Sequence, residues 1–313
     1  MRVLITGAGG FVGTHMARHL RECGDIPLAF ALPGEPVSTD FEASFAGDIA
    51  DANSIGGAVR SARPDACVHL AGVSSVIAAR SDPALAVRTN VTGTVMLLEA
   101  FRNFTPGVRT LVVTTAQIYG THPGISAVDE ESPLKPDNIY AATKAAADML
   151  ARQWATDRGQ FVCVARPGNH IGPGQTSSFV VASFAHQVAA IAAGRKPNVL
   201  RVGNLDSTRD FMDVRDVVRA YRLLLERGEP GQAYNLARGE QYTIRSMLDR
   251  LCEAAGIQPR IEVDPALFRP TDATAALDTR KIHAATGWRT TLSLDRTLTD
   301  MLAGETAQAV QGG

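Results

Sequence analysis

The chain has 313 residues, 45% of them hydrophobic and 20% charged, and a formal net charge of −1. So neutral a balance excludes general electrostatic attraction to nucleic acid or to an anionic membrane surface. No apolar run is long enough to span a bilayer, and the length suits one large α/β unit with a smaller lobe.

Met1-Arg2 leads directly into an apolar run, without the charged-then-apolar pattern of a secretion signal. The four cysteines, Cys23, Cys67, Cys163 and Cys252, lack paired or metal-ligand spacing. They read as free thiols in a reducing cytoplasm, with no metal site implied.

Arg2 to Thr6 is short, apolar and β-branched, so a buried strand is expected. Gly7-Ala8-Gly9-Gly10-Phe11-Val12-Gly13 follows, then a helix-like stretch from Thr14 to Cys23. Strand, glycine turn and helix come in the order a dinucleotide site needs. Gly7, Gly10 and Gly13 allow a tight turn, close approach of a diphosphate and close helix packing. The N–H groups at Phe11, Val12 and Gly13 open the helix toward an anion.

Ile26 to Leu32 is expected as the second strand. NAD sites often place an acid at its end to hold the ribose hydroxyls. Here the end reads Ala31-Leu32-Pro33-Gly34-Glu35, and Glu35 lies beyond the usual place. The missing acid favours NADP(H), with NAD(H) left open. Gly47-Asp48-Ile49 follows a third strand, where Asp48 either reaches an adenine edge or caps a helix.

Ala66 to Gly72 is another buried strand, and its small end (Leu70, Ala71, Gly72) lets a cofactor cross. His69 reads as a packed strand residue. Asn90 opens a helix running to Asn103 and reads as a cap or buried polar anchor. The strand Leu111 to Thr115 ends on a hydroxyl, ahead of Ala116-Gln117-Ile118-Tyr119-Gly120. In open α/β sheets ligands gather outside such carboxyl ends.

Asn138-Ile139-Tyr140-Ala141-Ala142-Thr143-Lys144 opens an Ala-rich run free of Gly and Pro until Gly159, so a helix is expected. Residues four apart share one face, which brings Tyr140 and Lys144 toward the same place. A neighbouring ammonium is expected to make the phenol more acidic and usable in proton transfer.

Together the glycine motif, Thr115, Tyr119-Gly120 and the Tyr140/Lys144 pair resemble the extended short-chain dehydrogenase/reductase superfamily, in its nucleotide-sugar-modifying branch. The resemblance spans nearly the whole chain. It implies a Rossmann-type, doubly wound parallel sheet with a smaller α/β substrate-binding lobe. The dinucleotide domain is expected over 1–165 plus about 209–236, and the lobe over 166–208 and 237–313. The resemblance also implies a catalytic triad of Thr115, Tyr140 and Lys144. It assigns Gly7, Gly10, Phe11, Val12, Gly13, Asp48, Ile49, Leu70, Ala71, Gly72, Tyr140, Lys144, Pro167 and Asn169 to the cofactor.

Arg166 to Gln175, Val202 to Phe211 and Phe268 to Asp272 resemble segments of the members that act on GDP-sugars. Those members are dehydratases of GDP-mannose and, more closely, reductases of GDP-4-dehydro-6-deoxymannose. The resemblance then assigns Ser74, Gln117, Asn169, Phe179, Val202, Arg209, Arg269 and Asp272 to a GDP-linked deoxyhexose. Arg209 and Arg269 suit a diphosphate, because a guanidinium makes forked bonds to phosphate oxygens. Dehydratases of the branch carry a Glu where this chain has Gln117. An amide cannot exchange a proton near neutral pH, so reduction is favoured over elimination. A GDP-sugar epimerase, a dehydratase with a substitute base and a non-catalytic NADP-binding sensor remain open. The Ala-rich helices over 85–103 and 140–158 are expected to pair in a homodimer through a four-helix contact.

Overall fold

The computed structural model describes residues 1–121, 127–268 and 276–311, with side chains as far as 306. The chain forms two compact units. The first comprises Met1–Gly168, Val217–Leu236 and Leu277–Trp288. The second comprises Asn169–Asp216, Ala237–Ala276 and Arg289–Gly313.

The first unit is built on a seven-stranded sheet. Its first five strands in chain order are β1 (Arg2–Thr6), β2 (Ile26–Ala31), β3 (Ala43–Ala46), β4 (Ala66–His69) and β5 (Arg109–Val113). The strands Val162–Pro167 and Ala233–Leu236 complete it. From one edge to the other, the order is Ala233–Leu236, Val162–Pro167, β5, β4, β1, β2, β3. Every neighbouring pair is parallel. The order reverses between β1 and β4, which places a ligand crevice at their carboxyl ends. This is the doubly wound sheet expected from the sequence. β1, β4 and Val162–Pro167 are buried almost throughout rather than on alternate residues, as strands covered on both faces must be.

Helix α1 (Phe11–Glu22) buries Gly13, Met16, Ala17 and Leu20, a stripe at helical spacing. One core cluster joins Leu4, Leu28, Phe30 and Cys67 of the sheet to Ile55, Val59, Leu97 and Phe101 of helices Ala52–Ala62 and Gly93–Phe104. Another joins Val112, Val162 and Val164 to Ala151 and Ala155 of helix Ile139–Arg158.

The second unit has its own core. Val181, Phe184, Ala185 and Val188 of helix Val180–Ala192 meet Met247, Leu248 and Leu251 of helix Ile244–Ala255, with Leu298 and Met301 of helix Leu294–Gln311. Short strands pair around it: Val199–Val202 with Arg260–Val263, and Asn169–Ile171 with Phe211–Asp213.

Candidate active site

The glycine turn at the end of β1 is shaped by backbone contact. Gly7 has φ 69°, and a Cβ there would stand 2.8 Å from the Ala71 nitrogen. At Gly13 a Cβ would stand 2.6 Å from the Ala8 oxygen. Neither site admits a side chain, so β1, β4 and α1 close tightly around the turn. Gly10 caps α1 without a side-chain hydrogen bond, and the helix opens at Phe11, Val12 and Gly13 with its positive dipole end toward an incoming anion. A turn and helix end of this kind fit a dinucleotide diphosphate.

The catalytic candidates gather near the carboxyl end of β5. Thr115 lies just past the strand and caps a short turn, its hydroxyl accepting from the Gln117 N–H at 3.3 Å. Asn138 caps helix Ile139–Arg158 by accepting from the Ala141 N–H at 2.9 Å, and this fixes the first turn, where Tyr140 sits. Tyr140, Lys144 and Thr115 are all buried. Burial pushes the Tyr140 phenol up to about 12, while the Thr115 hydroxyl pulls the other way. Burial alone draws Lys144 down to about 8. Its Nζ donates to the Val113 carbonyl at 2.9 Å.

These values correct the expectation that a neighbouring ammonium keeps the phenol acidic. Desolvation outweighs any such help, and Tyr140 holds its proton at neutral pH.

Behind the triad runs a chain of buried hydrogen bonds. The Ala71 N–H donates to Thr6 Oγ1 at 3.2 Å, and the Thr6 hydroxyl meets His69 Nδ1 at 2.7 Å. His69 Nε2 meets Thr94 Oγ1 at 3.0 Å, and that hydroxyl donates to the Asn90 carbonyl at 2.8 Å. Because the Thr94 proton is committed to Asn90, His69 donates from Nε2. Held neutral by its surroundings, the imidazole then accepts at Nδ1 from the Thr6 hydroxyl. Burial, then the charge of Lys144, hold it down to about 3. His69 is a packed strand residue, as expected.

Asn90 lies in a π-helical turn, Arg88–Thr92, between helices Pro83–Val87 and Gly93–Phe104. Such turns interrupt helices mostly at functional sites. Asn90 Oδ1 accepts from the Val73 N–H at 2.7 Å, and Nδ2 donates to Val73 O at 3.2 Å and to Thr143 Oγ1 at 2.9 Å. It is the buried anchor expected from the sequence, and it ties the end of β4 to the helix that carries Tyr140. A Cβ on Gly72 would stand 2.7 Å from Asn90 Oδ1 and 3.3 Å from Lys144 Nζ. Gly72, Asn90 and Lys144 therefore share one tight space.

The profile of the GDP-mannose 4,6 dehydratase family matches residues 4–301. The chain belongs to that family. It is 36% identical over 304 residues to the GDP-6-deoxy-D-mannose reductase of Pseudomonas aeruginosa, covering 96% of each chain. Among solved structures it resembles RMD of P. aeruginosa complexed with NADPH, at 34% identity and TM-score 0.86, covering 98% of this chain and 100% of that one. It also resembles the UDP-glucose 4-epimerase of Thermus thermophilus complexed with NAD, at 31% identity and TM-score 0.86, covering 97% and 99%. The family's members are oxidoreductases and related enzymes on a Rossmann-type fold, and this chain is an enzyme of that kind.

Other residues expected at the site fall in varied places. Asp48 follows β3, where it accepts from the Ala50 N–H at 2.8 Å and pairs with Arg88. Ile49 is buried against Gly93 and serves the core through its side chain. Ser74 is exposed in the loop after β4, close to Leu70, Ala71 and Gly72 in the chain. Pro167 ends its strand and is buried.

In the second unit, Asn169 is exposed and donates to the Asp210 carbonyl at 3.4 Å. Phe179 caps helix Val180–Ala192 and is 43% exposed. Arg209 donates to the Thr208 carbonyl at 2.8 Å. Val202 is fully buried, its side chain packed in the unit's core. Arg269 and Asp272 lie outside the described residues.

Two features escaped the sequence reading. One is a buried network in which Arg166 makes a forked pair with Asp148, at 2.8 Å from Nε and 2.8 Å from Nη2. Arg166 Nη1 donates to Tyr119 Oη and to the Glu130 carbonyl, and Tyr119 donates to Asn235 Oδ1 at 2.7 Å. The other is Glu35. Pro33-Gly34 was the available signal, since Pro then Gly at the centre of four residues marks a type II turn.

Proposed function

We propose that this protein is a reductase that converts the 4-keto group of a GDP-4-keto-6-deoxyhexose to an alcohol, with GDP-4-dehydro-6-deoxy-D-mannose as substrate and a GDP-6-deoxy sugar such as GDP-D-rhamnose as product. One observation carries the reading: Thr115, Tyr140 and Lys144 are all buried, and Thr115 accepts from the N–H of Gln117, an amide where elimination would need a carboxylate. The 36% identical relative, a GDP-6-deoxy-D-mannose reductase, supports it.

Gly7, Gly10, Phe11, Val12 and Gly13 hold the dinucleotide diphosphate, and Leu70, Ala71 and Gly72 give it a smooth floor. The nicotinamide, when bound, supplies the hydride. Thr115 orients the sugar carbonyl by donating a hydrogen bond. Tyr140 carries the proton that neutralises the oxygen of the reduced carbon, and its high affinity for that proton keeps it loaded at neutral pH. Lys144 places a cation near the phenolate left behind and near ribose hydroxyls. Gln117 positions the sugar without abstracting a proton. Ser74, Asn169, Phe179 and Arg209 are assigned to the nucleotide sugar by resemblance, as are Arg269 and Asp272.

Exposed apolar side chains on helix Ile139–Arg158, Met149 at 63% and Leu150 at 37%, support a homodimer built on that helix. Four free cysteines support a cytoplasmic location. Among the described residues no helix is long and apolar enough to cross a membrane.

Tyr140→Phe tests the mechanism. It is expected to lower kcat by at least roughly a hundredfold while dinucleotide binding persists. Unimpaired turnover would overturn the assignment.

A further inference from the structure

Leu32 to Glu35 forms a tight reversal after β2. The Glu35 N–H donates to the Leu32 carbonyl at 3.0 Å, and Gly34 has φ 80°. Pro33 supplies the fixed φ that the second position of a type II turn needs, and Gly34 supplies the positive φ of the third. The reversal sends Glu35 back toward β1. Its Oε2 accepts from the Leu32 N–H at 3.1 Å, which pins the carboxylate. The rest of the side chain lies over the glycine turn: a Cβ on Gly9 would stand 2.6 Å from each of Cγ, Cδ and Oε1 of Glu35. Among the described residues Oε1 accepts no hydrogen bond. The residue just past β2, where an acid most often stands, is the apolar Leu32.

We infer that Glu35 selects the cofactor: brought back by the Pro33-Gly34 turn, its carboxylate holds the adenosine ribose hydroxyls and excludes a 2′-phosphate, so this enzyme prefers NAD(H) to NADP(H). The inference rests on the dinucleotide reading of the glycine turn. The physical case has two parts. In this fold an acid just past the second strand hydrogen-bonds the ribose 2′-hydroxyl, whereas an arginine accommodates the 2′-phosphate. A free carboxylate oxygen accepts from a hydroxyl, but it repels a phosphate dianion. The preference therefore runs opposite to the expectation drawn from Leu32, because the turn supplies three residues later what the strand end lacks.

Binding rather than turnover tests this. Dissociation constants of NADH and NADPH for the full chain are measured by calorimetry, in wild type and in Glu35→Gln, Glu35→Ala and Glu35→Asp. Wild type is expected to bind NADH at least roughly tenfold more tightly than NADPH. Glu35→Gln and Glu35→Ala are expected to shrink that ratio at least severalfold, chiefly by tightening NADPH, and Glu35→Asp to retain part of it. Circular dichroism checks that each variant is folded. Equal or tighter NADPH binding by wild type overturns the inference, as does a ratio unmoved by Glu35→Gln. Failure to bind either dinucleotide overturns the reading of the glycine turn itself, and so separates the two levels.

Discussion

Two buried cations serve the same sheet in opposite ways. Arg166 is fully buried, and a carboxylate fork from Asp148 answers its charge, with Tyr119 and the Glu130 carbonyl taking other donors. That company holds its proton more firmly than usual despite burial, which acts in the other direction. Lys144 is buried too, but among the described residues its ammonium has one protein acceptor, the Val113 carbonyl. Its proton is held loosely, at about 8. A cation matched by the protein is structural. A cation with one carbonyl partner suits a group with hydroxyls or negative charge, which is the role we propose for Lys144. Polar groups around Lys144 obey the same division: His69 and Asn90 are satisfied by protein partners and hold the frame, while Tyr140 and Lys144 are the pair we propose for the chemistry.

The comparison is broken most severely at Arg166. Asp148→Asn or Arg166→Met strands one charge in the core and is expected to cost about 3–5 kcal/mol of stability. Denaturant unfolding measures it. A double variant, Asp148→Leu with Arg166→Met, is expected to recover part of the loss, since the stranded charge is gone. A loss under about 1 kcal/mol in either single variant would mean that the pair is not the anchor described.

Lys144→Met tests the other cation and is expected to act more gently. The unfolded chain keeps the Lys144 proton up to about 10.4, whereas the folded chain releases it near 8. Between those limits the unfolded state binds more protons, so this group makes the wild type more stable as pH rises. The slope is about 1.4 kcal/mol per pH unit at most, and the penalty is greatest below 8. The stability difference between wild type and Lys144→Met, followed by denaturant midpoints from pH 7 to 10, is expected to shift in favour of wild type as pH rises. A difference that stays flat contradicts the loosely held proton.

The first unit was largely legible in the sequence. Continuous apolar runs at Arg2–Thr6 and Ala66–His69 can only be strands covered on both faces, and the glycines at 7, 10 and 13 admit few other readings. Tyr140 and Lys144 were found by helical spacing. What spacing could not show was the balance of desolvation against charge, so the direction of the phenol's shift was read the wrong way. Glu35 lies beyond the strand end in the chain yet close to Gly9 in space, because Pro33-Gly34 encodes a reversal that linear distance does not show. Asp148, Tyr119 and Asn235 sit far apart in the chain and meet only through sheet order. Val202 sat in a segment resembling a substrate-binding stretch, yet its own apolar character sent it to the core.

The most direct test counts dinucleotide against product. The full chain is incubated with GDP-4-keto-6-deoxymannose and a reduced dinucleotide, following dinucleotide absorbance and identifying the sugar nucleotide by mass spectrometry. The account predicts that one reduced dinucleotide is oxidised for every molecule of GDP-6-deoxyhexose formed. Formation of the 4-keto sugar from GDP-mannose with the dinucleotide regenerated, or an isomerised sugar with no net oxidation, would contradict it.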